Sequence, residues 1–119
     1  MKKILYVEDH KDTAEAVKQM LEEEGFEVEI CSRGAEGLSK SRKTKFDLVL
    51  LDVMLPDMTG WDIFKTLCAR HYTAKYALLS VISVSNERLA ELKKSGISDY
   101  ITKPFTRKDL VERIKKVLG

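Results

Sequence analysis

The residues best suited to chemistry in this sequence are acids and a lysine that follow short apolar runs. Glu8 and Asp9 come directly after the first such run, and Asp52 closes the most continuous one. Lys103 follows a third run and precedes a proline. A carboxylate that closes a buried apolar strand is costly unless a cation or a hydrogen-bond donor pairs with it. Asp52 is therefore the most informative of these residues.

Three acids that meet in one crevice would repel each other, and a hard divalent cation removes that repulsion. An all-oxygen site that keeps some of the water ligands suits Mg²⁺. Lys103 would add a point positive charge on the opposite side of the crevice. A metal, an ammonium and one unshared carboxylate oxygen can together receive and hold a phosphoryl group. These residue types therefore predict magnesium-dependent phosphoryl chemistry.

The elements that must position these residues follow from the hydrophobic pattern, in which strand-like runs alternate with apolar residues at helical spacing. Residues 46–51 form the most continuous apolar run and predict a central strand buried on both faces. Residues 77–82 predict the fourth strand. Five strands that alternate with five helices predict an α/β domain with a parallel sheet. Ligands of such sheets bind outside the carboxyl ends of the strands, where the charged residues fall.

The composition fits one soluble domain of 119 residues, with 44% hydrophobic and 34% charged residues. The 21 basic and 19 acidic residues nearly cancel, so the charge gives no reason to expect nucleic-acid binding. No apolar run approaches the roughly 18 residues of a membrane span. Cys31 and Cys68 match neither a disulfide framework nor a zinc site, which makes a cytoplasmic location the default expectation.

Three motifs carry a resemblance to a known family: residues 4–9 (ILYVED), residues 50–56 (LLDVMLP) with Gly60, and residues 99–105 (DYITKPF). Together they resemble the response-regulator receiver domain of two-component signalling, in the CheY-like superfamily. The resemblance covers essentially the whole chain. It implies one flavodoxin-like (βα)5 receiver domain over residues 1–119, with a doubly wound parallel sheet of order 2-1-3-4-5.

The resemblance implies that Asp52 is the phosphoacceptor, taking a phosphoryl group from a sensor histidine kinase or phosphotransfer protein. Lys103 matches the lysine that pairs with the phosphoryl oxygens, and the bond between Lys103 and Pro104 is often cis in the family. The expected role is signalling rather than enzymatic: phosphorylation changes the binding of a downstream protein or a fused output domain, without direct contact to nucleic acid or a membrane.

The resemblance also implies a Mg²⁺ cofactor and its ligands. Asp9 resembles the direct metal-binding acid, and Glu8 resembles the neighbour that acts through water. Asp52 would be shared between the metal and the phosphoryl group. Met54 matches the position that gives the metal its backbone carbonyl.

The switch hydroxyl departs from the family pattern, which places Thr or Ser at the end of the fourth strand. The commonest spacing from Gly96 falls on Val81, which has no hydroxyl. Ser80 is favoured as the hydroxyl that contacts the phosphoryl group, and Ser83 stays open as the alternative. Tyr100 matches the aromatic residue that changes its rotamer on activation.

The segment from Asp99 to Lys116 resembles the transcription-factor branch of receivers, which dimerise through the fourth helix, fifth strand and fifth helix by ion pairs between subunits. Asp99, Asp109 and Arg113 match pair-forming positions. The basic partner expected on the fourth helix is replaced by Leu89, with Arg88 beside it. A weak homodimer on phosphorylation is therefore a further expectation.

Simpler interpretations remain open for the acids. Asp9, or Asp12 in its place, could cap the first helix, and Asp57, Thr59 and Asp62 are expected to serve the turn and the next helix. The rival function is a phosphorylation-independent pseudo-receiver that acts as a protein-interaction module. A flavin carrier is disfavoured because no phosphate-binding loop follows the first strand. An aspartate-nucleophile phosphatase is disfavoured because Met54 stands where a second acid is needed.

Overall fold

The chain forms one five-stranded parallel sheet in the computed structural model, which describes residues 1–119. The strands are β1 (Lys3–Val7), β2 (Glu27–Cys31), β3 (Leu48–Asp52), β4 (Lys75–Ser80) and β5 (Asp99–Thr102). The helices are α1 (Lys11–Glu23), α2 (Gly34–Lys43), α3 (Gly60–Ala69), α4 (Asn86–Ser95) and α5 (Arg107–Leu118). The strand order is β2-β1-β3-β4-β5, which confirms the predicted flavodoxin-like fold. None of the helices has the length and apolar character that crossing a membrane requires.

The central strand β3 divides the core into two layers because successive side chains point to opposite faces of a sheet. Leu48 and Leu50 pack in one cluster with apolar residues of α1 and α5. Val49 and Leu51 pack in the other cluster with residues of α3 and α4. All five residues of β3 are buried, as predicted for a strand covered on both faces. Asp52 therefore ends a strand that has no solvated side.

The fourth strand differs from its prediction, because β4 runs over Lys75–Ser80 instead of residues 77–82. Its pairing with β5 ends at Ser80, which lies opposite Thr102. Val81 and Ile82 lie beyond the sheet and are 72% and 64% exposed. An apolar run cannot mark the point where a chain leaves the sheet, because that point depends on the length of the neighbouring strand.

Two helix N-termini bear on the acids near the site. His10 caps α1, and its ring Nδ1 accepts a hydrogen bond from the Thr13 backbone N–H at 3.3 Å. Capping by Asp9 or Asp12 is therefore wrong. Thr59 and Asp62 form a reciprocal capping box at the start of α3, as expected for the turn after β3.

Candidate functional site

The predicted charged residues meet at the carboxyl edge of the sheet because they follow neighbouring parallel strands. Glu8 comes after β1, and its backbone N–H still donates to Cys31 of β2 at 2.9 Å. Asp52 is the last residue of β3. Lys103 follows β5, and its backbone N–H donates to the Ser80 carbonyl at 2.7 Å. The central position of β3 places Asp52 between the other two residues.

The Lys103 ammonium lies between two carboxylates. Its Nζ donates to Glu8 Oε1 at 2.6 Å and lies 3.4 Å from Asp52 Oδ2. The peptide bond between Lys103 and Pro104 is cis. The side chains of Glu8 and Asp52 are only 1% and 12% exposed, so water screens these charges weakly. The lysine is thus held by both acids at once, more closely by Glu8.

Glu8, Asp9 and Asp52 offer carboxylate oxygens that lie within 4.8 Å of one another. Glu8 and Asp52 are buried, whereas Asp9 is exposed at the mouth of the cluster. Oxygen donors of this kind and number suit a hard cation such as Mg²⁺, which retains water on its remaining positions. The donor set therefore fits the metal that the sequence predicts.

Glu8 is fixed by hydrogen bonds from three different residues. Besides the Lys103 ammonium, the Tyr6 hydroxyl donates to its Oε1 at 3.1 Å and the His10 backbone N–H donates to its Oε2 at 3.3 Å. Burial alone would raise the pKa of Glu8, but the neighbouring Asp52 carboxyl and the Lys103 ammonium outweigh burial, and the pKa lies below the usual value. Glu8 is therefore a charged, rigid acceptor.

Sequence reasoning missed Tyr6, which lay inside an apolar run and was assigned only to the strand. Tyr6 is fully buried, and burial together with the neighbouring Glu8 charge raises the pKa of its phenol far above the usual range. The phenol thus remains a hydrogen-bond donor. The available signal was the spacing, since residues two apart on a strand share a face.

The environment of Asp52 disfavours its charged form. Burial raises the pKa of Asp52, and the nearby Glu8 carboxylate raises it further, against the opposing effect of Lys103. The resulting pKa is about 6. Asp52 is therefore mostly ionised above neutral pH, but it binds a proton more tightly than an exposed aspartate does.

The remaining predicted residues surround this cluster, and none is hydrogen-bonded to Asp52. Met54 lies in the loop after β3 with its side chain 66% exposed. Ser80 is buried at the end of β4, and its Oγ accepts a hydrogen bond from the Ile82 N–H at 3.1 Å. The Tyr100 hydroxyl donates to the Ile82 carbonyl at 2.6 Å. Ser83 is exposed in the following loop.

Comparison with known protein families matches residues 4–115 to the response regulator receiver domain. The chain is 35% identical over 116 residues to the transcriptional regulatory protein CusR of Escherichia coli. The aligned region covers 98% of this chain and 51% of CusR. The chain is 39% identical over 116 residues to HprR of the same organism, with the same coverage of 98% and 51%. The chain spans about half the length of the curated relatives it matches.

Solved structures give the same result. A receiver domain protein from Methanospirillum hungatei superposes with a TM-score of 0.88 and 36% identity, covering 99% of this chain and 94% of that one. The response regulator TrrA of Thermotoga maritima, in complex with Mg²⁺ and beryllofluoride, superposes with a TM-score of 0.83 and 31% identity over 98% and 99% of the two chains.

The chain therefore belongs to the response regulator receiver domain family of two-component systems. Members of this family are signalling domains that interact with histidine kinases and output domains. They bind Mg²⁺ at an acidic pocket, and the cluster of Glu8, Asp9 and Asp52 is an acidic pocket of that kind.

The raised pKa of Asp52 predicts a pH-dependent gain in stability for Asp52→Asn. Folding raises this pKa from 3.8 to about 6, so ionised Asp52 opposes folding at pH values above that range. The neutral amide should stabilise the protein in EDTA by about 1 to 2 kcal/mol at about pH 7.5, and by progressively less towards about pH 4. Urea unfolding across this pH range measures the difference.

Asp62→Asn provides a control of opposite sign. Hydrogen bonds from Thr59 lower the pKa of Asp62, so its charged form favours folding and the substitution should destabilise the protein at neutral pH. A neutral or destabilising effect of Asp52→Asn at about pH 7.5 would contradict the assigned electrostatics of Asp52.

Proposed function

We propose that residues 1–119 form a receiver domain that accepts a phosphoryl group on Asp52 from a histidine kinase or phosphotransfer protein, with Mg²⁺ as cofactor. One observation supports this most strongly: a buried carboxylate at the end of the central strand lies against two other acids and 3.4 Å from an ammonium. Neither a solvated surface nor an ordinary core requires that arrangement.

Asp9 and Asp52 are the proposed side-chain ligands of Mg²⁺, together with the backbone carbonyl of Met54, and Glu8 is proposed to act on the ion through water. When bound, the ion would neutralise the charge of the acids and of the phosphoryl oxygens. The TrrA structure, which holds Mg²⁺ with beryllofluoride, supports this proposal through its likeness in fold and sequence.

The proposed chemistry is an in-line transfer to a carboxylate oxygen. An oxygen of ionised Asp52 forms the new bond to phosphorus while the bond from phosphorus to the donor imidazole nitrogen breaks and its electron pair stays on the imidazole. The product is an acyl phosphate. Lys103 contributes a positive charge for the phosphoryl oxygens, and its ammonium has three N–H donors, enough to bind them and Glu8 together.

Ser80 and Tyr100 are proposed to couple this event to a change of shape. Both side chains bind the backbone of Ile82. The Ser80 hydroxyl oxygen accepts a hydrogen bond from the Ile82 N–H, and the Tyr100 hydroxyl donates one to the Ile82 carbonyl. If the Ser80 hydroxyl turns to donate to the phosphoryl group, the Ile82 segment moves with it. Tyr100 then loses its present partner, which is the switch we propose.

The proposed output is a change in protein binding rather than the production of a metabolite. The partners are a sensor histidine kinase or phosphotransfer protein upstream, and a downstream protein or a fused output domain. We propose no direct contact of these residues with nucleic acid, in line with a net charge of only +2. CusR and HprR, which are about twice as long, are transcriptional regulatory proteins, and they make transcription one candidate output.

The face formed by α4, β5 and α5 is proposed to carry a weak homodimer of the phosphorylated form. Arg113 binds Asp99 at 3.0 Å and Asp109 at 3.1 Å, so the residues expected to pair between subunits already pair with one another within the chain. A groove of about 810 Å³ runs along this face, and only two of its ten lining residues are hydrophobic. Such a surface favours exchangeable ion pairs over a permanent interface.

Asp52→Asn should abolish labelling by radioactive acetyl phosphate in Mg²⁺, because an amide is a poor nucleophile towards phosphorus. Asp12→Asn, which changes an exposed acid on α1, should be labelled like the wild type. Labelling of Asp52→Asn at the wild-type rate would contradict the proposed acceptor. A wild-type protein that takes no label and binds no Mg²⁺ would instead be the phosphorylation-independent module.

Ser80→Ala should leave Asp52 open to labelling but weaken the coupling of phosphorylation to Tyr100 by about 1–3 kcal/mol, the range for a hydrogen bond to a charged group. The measurement is the NMR signal of the Tyr100 ring, followed as beryllofluoride is added in Mg²⁺. Ser83→Ala is the matched control. An effect of Ser83→Ala alone would show that Ser83 is the switch hydroxyl.

Sedimentation at high protein concentration should show a monomer without beryllofluoride and a weak dimer with beryllofluoride and Mg²⁺. Arg113→Asp should remove the dimer, because it reverses the charge that faces Asp99 and Asp109. An unchanged mass on activation would identify the face as a docking site for a different protein.

A further inference from the structure

The loop between β3 and α3, residues 53–59, is folded tightly against the end of the central strand. The Gly60 N–H donates to the Val53 carbonyl at 2.9 Å, and Met54 forms an isolated antiparallel bridge with Thr59. A Cβ atom at Gly60 would overlap the carbonyl of Asp52. The backbone around Met54 is therefore held close to the backbone of Asp52.

The tip of this loop is bound to the N-terminus of α2. Asp57 Oδ1 accepts a hydrogen bond from the Gly34 N–H at 2.9 Å, and its Oδ2 accepts one from the Ala35 N–H at 3.0 Å. Arg33, the N-cap residue of α2, provides no side-chain hydrogen bond. The expectation that Asp57 serves the turn or the helix after it is therefore wrong. It caps a helix that begins 23 residues earlier.

The Asp57 hydrogen bonds affect its pKa, and a second, apolar contact adds to the attachment. The hydrogen bonds from Ala35 and Gly34 lower the pKa of Asp57, as expected for a carboxylate at the positive end of a helix dipole. The Met58 side chain packs directly on Gly34, so closely that a Cβ atom there would overlap it. The loop is thus held to α2 by one charged contact and one apolar contact.

We propose that Asp57 is a positioning residue for the magnesium site, acting through the loop that carries the Met54 carbonyl. The inference rests on the proposed function, because it assumes that Mg²⁺ binds at Glu8, Asp9, Asp52 and Met54. Attachment to α2 holds the loop in one conformation before the metal arrives. A loop without this attachment must lose conformational freedom on binding, which weakens the affinity.

Titration with MgCl₂ tests the proposal, with the fluorescence of Trp61 as the signal. Trp61 is the only tryptophan and directly follows Gly60, which packs on the Asp52 backbone. In Asp57→Ala, the Kd for Mg²⁺ should rise about tenfold, the lower end of the effect of losing an outer partner of a metal site. Asp57→Asn keeps one acceptor oxygen and should show a smaller rise.

The rate of labelling at saturating Mg²⁺ should be unchanged in both variants, since the reacting groups are intact. Glu36→Ala is the matched control. Glu36 lies in the first turn of α2, and its carboxylate accepts a hydrogen bond from the Ser32 backbone N–H instead of binding the loop. An equal loss of affinity in Glu36→Ala and Asp57→Ala would mean that charge alone is responsible, and would overturn the positioning role.

A second measurement needs no variant. Because coupling between two sites is reciprocal, Mg²⁺ should slow the hydrogen exchange of the Gly34 and Ala35 amides in the wild type. If Trp61 reports Mg²⁺ binding but the Kd is the same in Asp57→Ala and these amides do not respond, Asp57 has no positioning role. If the wild type binds no Mg²⁺ and takes no label from acetyl phosphate, the proposed function itself fails.

Discussion

The main physical constraint on this structure is the close approach of two carboxylates at a point where water is largely excluded. Glu8 and Asp52 lie at adjacent strand ends with side chains only 1% and 12% exposed. Burial disfavours the charged form of both, and the charge of Glu8 further disfavours that of Asp52. Lys103 contacts both and is the only ammonium within salt-bridge distance of either. Removing this ammonium would leave two buried carboxylates without a cation, which is strongly unfavourable.

The two buried carboxylates of this cluster have unequal numbers of hydrogen-bond and ion-pair partners, and this difference suits the proposed chemistry. Glu8 receives hydrogen bonds from Tyr6, His10 and Lys103, whereas Asp52 has only the longer contact with Lys103. Glu8 is therefore the satisfied acid, and its pKa is lowered while that of Asp52 rises to about 6. Asp52 has the fewer partners of the two, so a cation or a covalent bond at this carboxylate would relieve the larger electrostatic cost.

The surroundings of the cluster differ in how firmly they are held. The loop after β3 is tied to α2 through Asp57 and to the strand through Gly60. The segment after β4 leaves the sheet with Val81 and Ile82 exposed, and the hydrogen bonds of Ser80 and Tyr100 to Ile82 retain it. One side is thus attached to a helix and to the central strand, whereas the other is attached through two hydrogen bonds to a single residue. This difference suits the proposed switch.

The sequence by itself determined the fold class and the acids of the site. Strand-like and helical periodicities alternate without interruption, and acids and a lysine at the ends of parallel strands must meet at one edge. Only the tertiary structure decided the end of β4, the cap of α1 by His10, the hydrogen bond from Tyr6 to Glu8 and the attachment of Asp57 to α2. The physical reason is range: periodicity reports which face of an element is buried, whereas a cap or a strand end depends on neighbouring atoms that can lie far away along the chain. Asp57 and Gly34 are 23 residues apart in sequence, yet Asp57 Oδ1 lies 2.9 Å from the Gly34 backbone nitrogen.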